Sequence, residues 1–348
     1  MHDQALLSVR ELKTYFFADE GVTKAVDGAS FDVWPGKTLG IVGESGCGKS
    51  VTARSILRIV ERPGRIVGGQ ILFWLNGSTV VDLAGLTADG RRMREIRGGE
   101  ISLVFQEPMT SFSPVHTIGS QITEAIQLHR RVSKGEARRR AVELMRLVGI
   151  PRAEARLDEY AFQLSGGLRQ RAMIAMALVA APRLLIADEP TTALDVTTQA
   201  QILALLRELQ QRNGMAIMLI THDLGVIAEM ADEVVVMYLG RVVEQGPVDD
   251  IFHNPKHPYT QALLRSIPSV HAVRRSRLTT ISGSIPHPFN RPPGCPFHPR
   301  CPAFMPGTCD RSEPALARIG ERQSVSCFLY EPTAVSDQPS ARGALADS

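Results

Sequence analysis

The sequence predicts an α/β fold built on a mainly parallel sheet with a helical insertion. Three observations predict it. Apolar runs at 39–42, 184–187 and 216–220 read as short strands buried on both faces. Helical patterns alternate with those runs, as parallel strands require. The first run also leads straight into a glycine-rich loop and then a helix.

That loop reads Gly43-Glu44-Ser45-Gly46-Cys47-Gly48-Lys49-Ser50, the phosphate-loop pattern G-x-x-x-x-G-K-[ST]. Residues without Cβ let successive backbone N–H groups curl around a polyphosphate. Lys49 supplies a point charge to the β/γ-phosphates, and Ser50 offers a hydroxyl to Mg2+. The helix that follows, with Val51 in its first turn, aims its positive end at the anion. A nucleoside-triphosphate site is therefore expected here.

The remaining elements follow in order. Residues 6–17, 25–34 and 37–42 read as strands, with a Pro35-Gly36 turn before the third. The first helix is expected over 50–59. A β segment at 69–75 ends at Asn76-Gly77, a hairpin signal. From about 107 to 181 the pattern is helical, with helices at 118–129, 134–148 and 165–181. Between the last two strands, Ile202, Leu205, Leu206 and Leu209 recur at helical spacing until Gly214 stops the helix.

At 348 residues, 44% hydrophobic and 22% charged, the composition suits one sizeable core plus a smaller appendage. A net charge of +3 without a basic block argues against nucleic acid. The start lacks a charged-then-apolar leader, and no apolar stretch approaches about 20 residues. The expected location is the cytosol, or a membrane reached through partners.

Two further segments carry chemistry. The strand at 184–187 runs into Asp188 and Glu189: the first carboxylate suits Mg2+, and the second can polarise an attacking water. Upstream, Ser165-Gly166-Gly167-Leu168-Arg169-Gln170 opens an apolar helix. Ser165 is a good N-cap, and the glycines leave first-turn N–H groups open to an anion. Gly-Gly in a first turn weakens a helix, so a closely approaching group is expected there.

Together these residues resemble the ATPase subunits of ABC transporters, over about residues 5–250. The resemblance implies a phosphate-loop ATPase with an antiparallel β subdomain and a helical subdomain at about 107–181. It implies that Ser165, Gly166, Gly167 and Gln170 form the signature that engages ATP held by a second subunit. Gln106 matches the glutamine that senses Mg2+ and the membrane partner, Asp195 the D-loop, and His222 the switch histidine. Phe16, with Tyr15 as alternative, matches the aromatic that stacks on adenine. Lys49, Glu189 and His222 are then the catalytic set. Two subunits pair head to tail, with ATP between one phosphate loop and the other signature.

The segments 253–264 and 294–302 resemble those of oligopeptide/dipeptide importer ATPases, extending the resemblance to about residue 330. This implies ATP-driven import of di- or oligopeptides, with nickel or another solute as alternative and a soluble non-transport ATPase as the remoter one. The implied partners are a second, non-identical ATPase subunit, two membrane permeases and, indirectly, an extracytoplasmic solute-binding protein. The implied location is peripheral, on the cytoplasmic face of the membrane.

Residues 251–330 are expected to form a loop-rich extension and 331–348 a disordered tail, since twelve of the 22 prolines lie between Pro268 and Pro339. His253, His257 and His298 read as surface residues. Cys295, Cys301, Cys309 and Cys327 cluster there with spacing C-x5-C-x7-C-x17-C. Spacing alone leaves iron–sulfur, zinc and bare thiols open. Resemblance to peptide-importer ATPases that carry a 4Fe-4S cluster favours that cofactor, with zinc as alternative, and makes the extension metal-binding.

Overall fold

The computed structural model describes residues 4–75, 79–107, 111–267, 281, 283–287, 289–320 and 322–330. Strands β1 (Leu7–Ala18) and β2 (Gly21–Val33) form an antiparallel hairpin, followed by β3 (Thr38–Val42) and α1 (Lys49–Ile56). Next come β4 (Gly64–Leu75), β5 (Thr79–Asp82), α2 (Arg91–Ile96) and β6 (Ile101–Val104). The helical insertion holds α3 (Ile118–His129), α4 (Lys134–Leu147), α5 (Ala153–Arg156) and α6 (Gly166–Ala177). The chain then returns through β7 (Leu184–Asp188), α7 (Val196–Asn213), β8 (Ala216–Ile220), α8 (Leu224–Met230), β9 (Glu233–Tyr238) and β10 (Arg241–Pro247). Helices α9 (Val248–His253) and α10 (Pro258–Arg265) and strands β11 (Ala317–Ile319) and β12 (Gln323–Val325) complete the described elements.

Among the described residues the strands form two sheets, ordered β2-β1-β4-β5 and β11-β12-β10-β9-β3-β8-β7-β6. The smaller sheet is antiparallel throughout. In the larger one the five strands from β9 to β6 are parallel, with Ile41 opposite both Ile220 and Val235. The period-2 alternation of a strand divides these apolar runs between two cores. Leu185, Ala187, Ile217 and Leu219 pack into a core shared with the helical insertion. Leu184, Ile186, Met218 and Ile220 pack into the core beneath the antiparallel sheet.

The helical insertion follows its sequence pattern. Ile118, Ile122 and Ile126 recur every four residues and make one buried stripe on α3. Thr117 caps α3 by accepting from the Ser120 N–H, and Ser133 caps α4 by accepting from the Glu136 N–H. The Asn76-Gly77 turn lies outside the described residues, but Leu75 pairs with Thr79 around it. Strand β6 was not anticipated: its run of four residues is too short for periodicity to reveal, and its pairing with β7 makes it a strand.

The C-terminal extension departs from the loop-rich expectation in a definite way. Strand β12 pairs with β10, so the extension adds an edge to the central sheet. Glu244, fully buried on β10, anchors it. Its carboxylate accepts from the Lys256 N–H (2.7 Å), the His257 N–H (2.9 Å) and Gln323 Nε2 (2.8 Å). Each donor would cost about 1–3 kcal/mol if left unpaired. Tyr238, Tyr259 and Phe297 pack beside it as an aromatic cluster. The segment 331–348 lies outside the described residues.

His257 is a correction to the surface reading. It is buried, and its Nδ1 caps α10 by accepting from the Tyr259 N–H at 3.0 Å. Burial lowers its pKa from 6.5 to about 3, opposed by a hydrogen bond with the Ser326 backbone. The folded chain therefore keeps this imidazole neutral below pH 6.5, where the unfolded chain protonates it. The stability due to His257 is present above pH 6.5 and is lost as pH falls toward 3. Replacing it by Gln should remove about 2 kcal/mol of the stability lost between pH 7 and pH 5, read as a flatter urea-midpoint profile than wild type.

Candidate functional site

Parallel strands put their C-terminal ends on one edge, and the site is assembled there. β3 delivers the phosphate loop, β7 ends in Asp188, and His222 follows β8. Gln106 follows β6 by two residues. Four segments far apart in sequence thus meet because their strands share a direction.

The phosphate loop is held tightly. Lys49 is buried, and its Nζ donates to the carbonyls of Gly43 (2.8 Å) and Glu44 (3.2 Å) and lies 3.8 Å from Cys47 Sγ. Burial also pushes the Cys47 thiol pKa up. Gly48 has φ +100°, and a Cβ there would lie 2.1 Å from the Ala25 carbonyl. No other residue fits that position without moving β2. The hairpin after β9 closes the other side, where the Gly240 N–H donates to the Cys47 carbonyl at 2.9 Å. Ser45 and Gly46 form the outer turn, and Val51 packs beneath it against the second core.

Ser50 Oγ donates to Asp188 Oδ1 at 2.9 Å. Asp188 is almost fully buried at the end of β7, and burial raises its pKa, opposed by the Ser50 bond and reinforced by Glu189. A hydroxyl and a carboxylate oxygen side by side are the hard donors that Mg2+ takes.

Glu189 sits in an unusual backbone state, with φ +49°. Such a conformation in a non-glycine residue costs about 1–3 kcal/mol and gathers at functional sites. The side chain is correspondingly well held. Oε2 accepts from Gln106 Nε2 (2.9 Å) and Thr192 Oγ1 (2.8 Å), while Oε1 lies 3.3 Å from His222 Nδ1. Gln106, Glu189 and His222, predicted from three separate motifs, form one constellation. Thr192 was missed; its position three residues after Glu189 was the available signal.

The signature residues form a second group. Ser165 caps α6 by accepting from the Leu168 N–H. Gly167 meets the close neighbour that the Gly-Gly pair called for: a Cβ there would lie 2.6 Å from Thr198 Cγ2. Thr198 is fixed by Asp195, which accepts from its N–H (3.0 Å) and hydroxyl (2.7 Å) while capping α7. Gly166 comes next to Leu194. The signature and Asp195 are thus one packed unit. Gln170 is buried, with no hydrogen-bond partner for its Nε2.

On β1, Tyr15 donates its hydroxyl to Asp27 at 2.5 Å, and burial together with that bond pushes its pKa up to about 12. Phe16, half-buried, lies against Gly64.

The ABC transporter family matches residues 26–192, and the oligopeptide/dipeptide transporter C-terminal region matches residues 243–309. A probable peptide ABC transporter ATP-binding protein of Sinorhizobium fredii is 52% identical over 324 residues, spanning 93% of this chain and 94% of that protein. The chain belongs to the ABC transporter ATP-binding proteins. An oligopeptide transport ATP-binding protein of Bacillus subtilis is 51% identical over 327 residues, 94% of this chain and 97% of that protein. Among solved structures, the dimeric post-hydrolysis state of the ATP-binding cassette MJ0796 with ADP and Pi superposes with a TM-score of 0.61 at 25% identity, covering 70% of this chain and 98% of that one.

This ABC ATPase does not support the metal-binding expectation for its extension. Among the described residues no group of three or more His, Cys, Asp or Glu is placed to hold a metal ion. Cys295, Cys301, Cys309 and Cys327 border one narrow cavity of about 10 Å3, lined also by His257, His298 and apolar groups such as Phe297, Phe328 and Leu329. Burial pushes the Cys295, Cys301 and Cys327 thiols up, the last to about 11. Neither a 4Fe-4S cluster nor zinc is supported, and the extension is organised by Glu244, the aromatic cluster and β12.

The Gly167–Thr198 contact is testable. Gly167→Ala should destabilise the chain by about 1–3 kcal/mol in urea unfolding, because Thr198 is held by Asp195 and cannot turn away. Thr198→Ser, which removes the methyl and keeps both bonds, should recover most of that loss.

Proposed function

We infer that this chain is the ATP-hydrolysing subunit that powers peptide import through membrane permeases. The observation that carries it is the Gln106–Glu189–His222 constellation beside the Ser50–Asp188 pair, in a chain that ends in the oligopeptide/dipeptide transporter region. The fold adds that no described helix is long and apolar enough to cross a membrane. We place transport in partner membrane subunits, with this chain peripheral on the cytoplasmic face, because the chain carries the oligopeptide/dipeptide transporter region.

The proposed chemistry uses each residue for what its surroundings allow. The loop 43–50 and Lys49 bind the triphosphate, with Phe16 rather than the engaged Tyr15 against adenine. Ser50 and Asp188, with Gln106, hold the Mg2+ that neutralises phosphate charge when bound. Glu189, aimed by Gln106 and Thr192, takes a proton from water as the water oxygen attacks the γ-phosphorus. The bond to the bridging oxygen breaks, giving ADP and phosphate. His222 steadies Glu189 and the γ-phosphate. Ser165, Gly166, Gly167 and Gln170 reach the nucleotide of a second ATPase subunit, with Asp195 coupling the two sites. We assign residues 5–250 to the ATPase domain and 251–330 to the transporter-specific region.

Glu189→Gln should keep MgATP binding while lowering kcat about 100-fold or more in the assembled transporter, whereas Lys49→Ala should weaken binding itself. Steady-state hydrolysis and nucleotide titration separate the two. Near-normal turnover by Glu189→Gln removes it from the base role.

Coupling to the permease is assigned to the groove beside Gln106. Phe105, Ala125, Met173, Met176 and Ala177 line an apolar groove of about 230 Å3, and Phe105 is 38% exposed. Its apolar lining suits a short helix of a membrane subunit. The stretch 111–117 leads from the Gln106 loop into α3, and Val115 on it is exposed, so the probe belongs there. A photo-crosslinking side chain at Val115 should capture a permease; capture from distant surface positions but never from Val115 rejects the assignment.

A further inference from the structure

The phosphate loop has a contact that none of its motifs explains. Glu44, its second residue, is held by the C-terminal extension on both backbone and side chain. Its N–H donates to the Tyr259 hydroxyl at 2.8 Å. Its carboxylate takes a two-pronged bond from Arg300, Nη1 to Oε2 at 2.7 Å and Nη2 to Oε1 at 3.0 Å. The Arg300 side chain is 4% exposed and that of Glu44 20%. Arg300 also donates to the Tyr238 hydroxyl at 3.3 Å and lies over the Tyr238 and Phe297 rings. Meanwhile the Glu44 carbonyl accepts from Lys49.

A carboxylate inside a polyphosphate-binding loop is unfavourable unless something cancels its charge, because it repels the ligand. A planar guanidinium, bonded twice and stacked on aromatic rings, cancels the charge and also fixes the direction of the carboxylate. Both partners come from the region beyond residue 250, outside the segment that matches the ABC transporter family.

We propose that the C-terminal extension is part of the nucleotide site, with Arg300 and Tyr259 as positioning residues that neutralise Glu44 and set the shape of the phosphate loop. Nucleotide affinity is thereby tied to the docking of a region that otherwise lies outside the ATPase chemistry. This rests on the reading of residues 43–50 as the ATP site.

The test is MgATP titration of the full-length chain by calorimetry. Arg300→Gln should weaken binding about tenfold, and more at low salt, since it leaves Glu44 charged beside the phosphates. Adding Glu44→Gln should recover most of that loss, which a merely structural role for Arg300 would not allow. Affinity within about twofold of wild type for Arg300→Gln, or no recovery in the double variant, overturns the proposal. If Arg300→Gln does not fold, Tyr259→Phe carries the test. It keeps the ring and removes the acceptor, and should weaken MgATP a few-fold, whereas unchanged affinity overturns the proposal. Lys49→Ala separates the two levels. Its loss of binding alongside an unaffected Arg300→Gln rejects this inference alone, while a wild type that binds no MgATP rejects both.

Discussion

A loop that holds a polyphosphate must leave some of its backbone N–H groups free for the anion, and such a loop cannot stabilise itself. The rest of this structure answers that constraint. The loop 43–50 is pinned by its neighbours: the Ala25 carbonyl crowds Gly48, the hairpin at Gly240 bonds Cys47, and Tyr259 and Arg300 hold Glu44. Lys49 is folded back on two loop carbonyls. A flexible glycine-rich segment becomes a preorganised site because β2, β9–β10 and the C-terminal extension each remove some of its freedom.

The direction of the strands does the remaining assembly. Five parallel strands bring Ser50 to Asp188 and Gln106 to Glu189 from segments separated by 138 and 83 positions. Each strand is buried on both faces, so its register cannot slip without moving a core residue to the wrong core. Precision at the site is thus inherited from packing below it. The strained backbone at Glu189 is tolerable for the same reason, since the β7–β8 pairing and the Glu189 N–H bond to the Ile220 carbonyl hold it.

The extension shows how a proline-rich segment is ordered without a metal staple. A buried carboxylate with three N–H donors, a capped short helix and a cluster of three aromatic rings tie it to an existing core. Apolar surface borrowed from the ATPase domain replaces the core that the segment lacks. The four cysteines, which by count and clustering suggested a cofactor, line a cavity of about 10 Å3, and among the described residues no group is placed to hold a metal ion.

Much of the site was legible because its parts are local. The phosphate loop, Asp188-Glu189 and the Ser165-Gly166-Gly167 turn each lie within a few residues, and short-range backbone geometry dictates their composition. Buried parallel strands announce themselves as apolar runs, so the fold class was readable too. What stayed hidden depends on pairs distant in sequence. Neither the sharing of Glu189 among Gln106, Thr192 and His222 nor the burial of His257 can be read from spacing. The same holds for the pairing of β12 with β10 and the bond from Arg300 to Glu44 across 256 positions. Local propensity and periodicity carry no information on which distant surfaces meet; only tertiary packing, which chooses partners by complementary shape and charge, decides that.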